Sequence, residues 1–155
     1  MTDPVPAGYH SVTPYLVVRD ADRAIAFYEA AFGATEKTRL TTPDGKVGHA
    51  ELVIGDSVIM LSDEMEEWGN QSPETLGGCA ASLMLYVDNV DEQFQQALDA
   101  GATEKQPVQD QFYGDRSGTL VDPFGHEWAL GTHTEDVSEE EVQRRWRDMM
   151  EGEAA

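Results

Sequence analysis

Two residues apart on a short alternating run, His49 and Glu51 are the pair best suited to moving a proton. Side chains at i and i+2 of a strand share a face. An imidazole there can act as general base or acid near neutral pH, while the carboxylate orients it or binds a cation. Arg116 adds a guanidinium suited to a carboxylate or phosphate. Tyr15, Met60, Met84 and Tyr86 stand in other strand-like runs and suit a cavity wall, with Thr13 and Ser82 supplying hydroxyls. Tyr113 either closes a pocket or covers its rim. Plainer readings stand beside these. A His/Glu pair on a strand is more often a solvated or hydrogen-bonded pair than a catalytic dyad. Arg116 next to Asp115 is more often a structural ion pair. Met and Tyr line cavities without recognising anything. Cys79 is the single cysteine, so it forms no internal disulfide or thiolate cluster. Beside a Gly-Gly, with no evident base near it in the chain, it reads as a small residue.

The elements that position these groups follow from the residue pattern. Residues 1–10 are polar and rich in Pro and Gly, an expected loose arm. Ser11–Val18 predicts an edge strand containing Pro14. Asp20 caps a predicted helix from Ala21 to Phe32, which Gly33 ends. Glu36–Thr42 predicts a strand, and Val47–Ile54 with Ser57–Leu61 a hairpin about Gly55-Asp56. Residues 63–79 are acidic and aperiodic, a linker or long loop. Then the order returns: a strand over Ala81–Val87, a helix over Val90–Ala100 capped by Asn89, a weak strand over Thr103–Val108, and a hairpin about Asp122-Pro123-Phe124-Gly125. The string GATEK occurs at Gly33–Lys37 and again at Gly101–Lys105, in the same structural place. Such self-similarity marks a duplicated unit. The expected organisation is an arm (1–10), a first βαβββ module (11–62), a linker (63–79), a second βαβββ module (80–133) and a C-terminal helix and tail (134–155). Each module covers one sheet face with its helix, and the other faces curve toward one another around a cavity. In the tail, Ser138 and Glu141 form an expected capping box. Val142, Trp146 and Met149/Met150 make one apolar stripe, packing on the chain's own sheet or on a partner subunit.

Bulk composition narrows the classes of partner. The 155 residues suit one compact domain or two small halves sharing a core. Thirty acidic residues stand against ten basic ones, for a net charge of −20. Such a surface repels nucleic acid and anionic membrane, whose recognition needs clustered Lys and Arg. The acids are spread through the chain, and Lys occurs only at positions 37, 46 and 105, as in proteins adapted to high salt. A merely acidic mesophilic surface is the alternative. No apolar run is long enough to span a bilayer, and the N-terminus lacks a secretory pattern. The expected location is cytoplasmic.

The chain resembles the vicinal oxygen chelate superfamily of glyoxalase I, bleomycin-resistance proteins and extradiol dioxygenases. The residues that carry the likeness are TPYLVVRDADRAIAFYEAAFGA (Thr13–Ala34), GHAELVIGDSVIML (Gly48–Leu61), SLMLYVDNVDEQFQQALDAGA (Ser82–Ala102) and DPFGHEWAL (Asp122–Leu130). They span roughly residues 11–132 and look closest to the PhnB-like, glyoxalase-like branch. The resemblance implies an α+β fold of two tandem modules with curved mixed sheets around a cavity, and a homodimer. It also implies metal-ligand positions on the first and last strand of each half. Aligned there, Thr13, Met60, Ser82 and Ala129 are poor ligands for a divalent ion. No cofactor is therefore expected; an ion held by His49, Glu51 and His126 at other positions stands as an alternative.

Register then aims the side chains. In the first hairpin Glu51 opposes Met60 and His49 opposes Ser62, so Met60 facing the cavity brings His49 and Glu51 with it. In the second, a four-residue loop pairs Val121 with His126, Ala129 with Gly118 and Arg116 with Gly131, which aims Arg116 inward. Trp128, opposite in face to Ala129, should pack under a helix. Two functions are consistent with this wall. One is a lyase or isomerase acting on a small oxygenated metabolite, with His49 and Glu51 catalytic. The other is non-catalytic binding and sequestration of an aromatic or cationic small molecule. A third, assembly through the tail helix, rests on the Trp146 stripe.

Overall fold

In a computed structural model the structure describes residues 1–154. The chain runs β1 (Tyr15–Val18), α1 (Ala21–Phe32), β2 (Thr35–Thr41), β3 (Val47–Ile54) and β4 (Ser57–Asp63). A 3₁₀ turn (Glu66–Trp68) and the one-turn α2 (Pro73–Leu76) lead to the second unit. That unit comprises β5 (Ser82–Tyr86), α3 (Val90–Ala100), β6 (Thr103–Asp110), β7 (Asp115–Val121) and β8 (Glu127–His133), and α4 (Glu139–Ala154) follows. The duplication read from GATEK is visible in the topology. Each unit is a mixed four-stranded sheet, ordered β1-β4-β3-β2 and β5-β8-β7-β6, with one parallel pair between its first and last strands.

Local chemistry sets the boundaries. The Asp20 and Asn89 side chains accept from Arg23 N and Glu92 N and so start α1 and α3. Gly33, at φ 69°, ends α1. Gly55, at φ 59°, makes the tight turn between β3 and β4. The first strand is shorter than predicted and starts at Tyr15, just after Pro14. The stretch predicted to be an aperiodic linker is partly ordered. Glu64 accepts from Ser72 N (3.0 Å) and Thr75 Oγ1 (3.0 Å), and Asn70 from Met65 N (2.8 Å).

The two units share one hydrophobic core, in which α1 packs against α3. Trp128 lies under the first unit's helix, its ring centroid 4.7 Å from Phe32 and 5.5 Å from Tyr28. Gln93 and Gln96 donate across the junction to the Ala31 (2.5 Å) and Ala30 (2.7 Å) carbonyls at the end of α1. Core residues Ala50, Leu52, Ile59 and Leu61 line the helix face of the first sheet, so the period of two puts His49, Glu51 and Met60 on its other face. In the tail, Ser138 Oγ accepts from Glu141 N (3.2 Å). The Glu141 carboxylate does not complete the expected box; it pairs with Arg144 (2.6 Å) and Arg145 (3.0 Å). α4 touches its own chain, where Arg145 donates to the Phe112 carbonyl (2.9 Å) and Trp146 lies 5.7 Å from the Phe112 ring.

Candidate functional site

The hairpin of β3 and β4 has the predicted register, with Ile54 opposite Ser57 and Glu51 opposite Met60. β1 joins in parallel and sets Tyr15 beside Met60. Tyr15, His49, Glu51 and Met60 therefore share the helix-free face of the first sheet. There they form a connected chain of polar groups. The Tyr15 hydroxyl lies 3.0 Å from His49 Nδ1, and His49 Nε2 lies 2.8 Å from Glu51 Oε2. The other oxygen of Glu51 accepts from the hydroxyl of Tyr9, a residue of the N-terminal arm that sequence reasoning passed over. The arm is thus folded onto the site rather than loose. His10 also fixes it, bonding the Asp56 carbonyl at 3.0 Å. Between arm and sheet lies a cavity of about 380 Å³, lined in part by Val5, Pro6, Tyr9, Thr13, Glu51 and Met60.

The carboxylate fixes one proton of this row. An ionised carboxylate only accepts, so Nε2 carries a proton toward Glu51; in the neutral imidazole Nδ1 then accepts from Tyr15. The Tyr9 hydroxyl first, then His49, holds the Glu51 carboxyl below the usual carboxylate range despite burial. Glu51 is thus a fixed negative charge whose side chain is only 12 % exposed.

Register in the second unit departs from expectation. Val121 pairs with Glu127, Thr119 with Ala129 and Arg116 with Thr132, so every partner is one residue from its predicted place. Asp122 is the cause. Its carboxylate accepts from Phe124 N and His126 N, and its own N–H reaches the His126 carbonyl. Asp122 and His126 thereby oppose each other across a three-residue loop, not a four-residue one. A slip of one residue reverses a side chain's face. Arg116 therefore sits on the α3 side, bound to Asp91 (2.8 and 2.9 Å) and Asp110 (3.2 Å), and does not join the His49 cluster. The structural ion pair is the reading that holds for it, with different carboxylates.

Ser82, Met84 and Tyr86 pair with Glu127, Ala129 and Gly131 on the second sheet, and the hydrogen bonds of His49 go to Tyr15 and Glu51 instead. Around Tyr86 lies a second polar cluster. The buried Asp115 carboxylate accepts from Tyr86 (2.7 Å) and binds His133 Nδ1 (2.8 Å), and His133 Nε2 meets Asp136 (2.7 Å). Tyr113 is half-exposed, edge-on to Phe112. His126 is also elsewhere. Its Nε2 meets the Val17 carbonyl at 2.9 Å and its Nδ1 faces Cys79 Sγ at 4.0 Å, so His49, Glu51 and His126 do not converge. Among the described residues no three His, Cys, Asp or Glu side chains gather at metal-binding range. Thr13, Met60, Ser82 and Ala129 offer two hydroxyls, one thioether and a methyl, a donor set that does not fit a divalent cation.

Comparison with known proteins places this architecture. The family model of the Glyoxalase/Bleomycin resistance protein/Dioxygenase superfamily matches residues 8–130. The chain belongs to that family, as the resemblance of its motifs implied. It is 45% identical over 136 residues to an uncharacterized protein of Mycobacterium bovis, covering 86% of this chain and 90% of the relative. Among solved structures, TioX from Micromonospora sp. ML1 is 28% identical with a TM-score of 0.63, over 80% of this chain and 98% of TioX. The PhnB protein of Bacillus cereus, at 19% identity and a TM-score of 0.60, shares the fold over 79% of this chain and 99% of its own. No helix among the described residues is long and apolar enough to cross a membrane.

Proposed function

We propose that this protein is an acid–base catalyst of glyoxalase-like type, a lyase or isomerase acting on a small oxygenated metabolite on the helix-free face of the first sheet, beside the cavity beneath the N-terminal arm. The single observation that carries this is the unbroken row Tyr15–His49–Glu51. It has the logic of a nucleophile–imidazole–carboxylate relay, with a phenol as the outer group. Tyr15, 48 % exposed, is the end that meets substrate. As its hydroxyl proton moves to His49 Nδ1, the phenolate oxygen takes a proton from a carbon next to a substrate carbonyl. Glu51 stabilises the imidazolium. Return of the proton to a neighbouring atom completes an isomerisation; departure of a leaving group completes an elimination. Side chains alone carry the scheme, and it invokes no metal. Two copies in the cytoplasm form the working unit in this reading, since Tyr15, Met84 and Tyr86 leave roughly half of their area uncovered.

The test is hydrogen exchange. Wild-type protein in D₂O, offered small hydroxy- and amino-ketones such as hydroxyacetone and aminoacetone, should incorporate deuterium beside the carbonyl. His49→Ala and Tyr15→Phe should not. A His49→Ala variant exchanging as fast as the parent removes the acid–base role. Sedimentation with and without residues 135–155 tests the pairing of subunits; an unchanged oligomer removes the tail helix from the interface.

One observation favours the second reading, binding without turnover. Both His49 nitrogens and both Glu51 oxygens already have partners within the chain, so the row can serve as a rigid wall. Stoichiometric ligand binding with no product by mass spectrometry selects that reading.

A further inference from the structure

The cavity facing Glu51 selects for ligand charge. Resting on the proposal that the ligand binds at this face of the first sheet, where Glu51 belongs both to the row and to the cavity wall, we infer that the ligand is an organic cation, a protonated amine whose ammonium meets Glu51 and Tyr9 while its apolar body lies along Val5, Pro6 and Met60.

Among the described residues Glu51 is the one carboxylate on the cavity wall and no Lys or Arg lines it, although Lys37, over the Tyr9 ring, adds a smaller positive influence on Glu51. Tyr9 and His49 keep this carboxyl ionised. Its two oxygens offer about four acceptor sites, of which Tyr9 and His49 occupy one each. A donor arriving from the cavity therefore finds free lone pairs without displacing either partner. A ligand lacking such a donor would strip water from a charge it cannot compensate, which opposes binding. An anion fares worse. The guanidinium expected to receive it, Arg116, is committed to Asp91 and Asp110 on the α3 side.

The aromatic wall points the same way. The Tyr9 ring already holds a cation, with Lys37 Nζ 3.9 Å from its centroid. The contact shows that the ring attracts an ammonium, and a ligand ammonium bound there shares the ring with Lys37 or displaces it. The apolar side chains of Pro4, Val5, Pro6 and Met60 share the wall with His10, Ser11 and Thr13, so an organic body has apolar surface to lie on beside the carboxylate. At longer range the net charge of −20 concentrates cations around the protein and repels anions.

The test uses three probes that share one ring: benzylamine, which is protonated at neutral pH, benzyl alcohol and benzoate. Each is titrated into the full chain by calorimetry or ligand-observed NMR. Benzylammonium should bind at least ten-fold more tightly than benzyl alcohol, with benzoate weaker still. Glu51→Gln should erase that preference. Tyr9→Phe, which keeps the ring, should retain most of it, and Tyr9→Leu should weaken benzylammonium several-fold. The Tyr9 pair keeps the question answerable if Glu51→Gln folds poorly. Benzoate or benzyl alcohol matching benzylammonium overturns the inference, as does a preference that survives Glu51→Gln, or no binding of any probe. The charge preference is read without turnover, so it fails separately from the catalytic reading. A His49→Ala protein that binds benzylammonium yet exchanges no deuterium supports both. One that still exchanges deuterium sinks the acid–base role and leaves the cation site standing.

Discussion

The Tyr28 hydroxyl, in α1, donates at 2.6 Å to Asp122 Oδ2, ninety-four residues later in the turn before β8. This bond crosses the junction of the two units, and both partners are buried. Asp122 also takes Trp128 Nε1 (2.9 Å), Phe124 N (2.9 Å) and His126 N (3.0 Å), so one carboxylate ties a helix of the first unit to a turn and a strand of the second. An amide offers one acceptor oxygen and turns an NH₂ toward donors. Asp122→Asn should therefore cost about 2–4 kcal/mol, because buried donors lose partners. Tyr28→Phe should cost less, about 1.5–3 kcal/mol, since Trp128 still satisfies the oxygen it leaves. Urea denaturation of both variants measures this; equal stabilities to wild type would show that the junction does not depend on the bond.

Glu64 supplies a pH dependence. Ser72 N–H first, then the Thr75 hydroxyl and Arg19, pull its carboxyl down to about 2. A carboxyl depressed in the folded state stabilises fully above its ordinary value near 4.5, and the contribution fades as pH falls toward 2. The thermal midpoint of wild type should thus fall between pH 4.5 and 2 more steeply than that of Glu64→Gln. Parallel profiles would show that the clamp on the segment between the sheets adds nothing.

These two contacts also mark how far sequence reasoning reaches. The duplicated order, both helix caps and the first hairpin were legible because each depends on neighbouring residues: Asp20, Asn89 and the Gly55-Asp56 turn. Hence the face shared by His49, Glu51 and Met60 was predicted. The second hairpin was misregistered because an Asp122 side chain, not the backbone alone, decides loop length there, and that one-residue difference turned Arg116 away. Tyr9 was missed for another reason. An arm rich in Pro and Gly has no period, and its anchor Glu51 lies forty-two residues away. Asp115 and His133 sit at the ends of β7 and β8, which pair directly, so the correct register would have brought them together.

The Asp115–His133–Asp136 row should titrate upward. Both nitrogens of His133 face carboxylates, which only accept, so the row is complete when both nitrogens are protonated. Asp115 first, then Asp136, raise this imidazole above its ordinary 6.5. A raised value means that the contact is fully present below 6.5 and is lost as pH climbs through the raised midpoint. NMR titration of the His133 ring should give a midpoint above 6.5 in wild type and one closer to 6.5 in Asp136→Asn. A wild-type midpoint at or below 6.5 would show that the row does not form in solution.

Salt should stabilise this protein. Arg19, Arg39, Lys105, Arg116, Arg144 and Arg145 already pair with carboxylates, so few cations remain to offset the acidic excess. Two effects of added salt oppose each other. Screening weakens those exposed pairs, each contributing about 0–1 kcal/mol. It also relieves repulsion among the carboxylates behind a net charge of −20. The Debye length falls from about 10 Å at 0.1 M to about 3 Å at 1 M, which cuts the many repulsions spread over the surface while leaving hydrogen-bonded contacts in place. Repulsion has the larger number of partners, so its relief wins. The thermal midpoint should rise steadily from dilute buffer to molar KCl, and dialysis against low salt should destabilise the chain. A midpoint that stays level or declines over that range would place the protein among ordinary acidic ones, with no adaptation to brine.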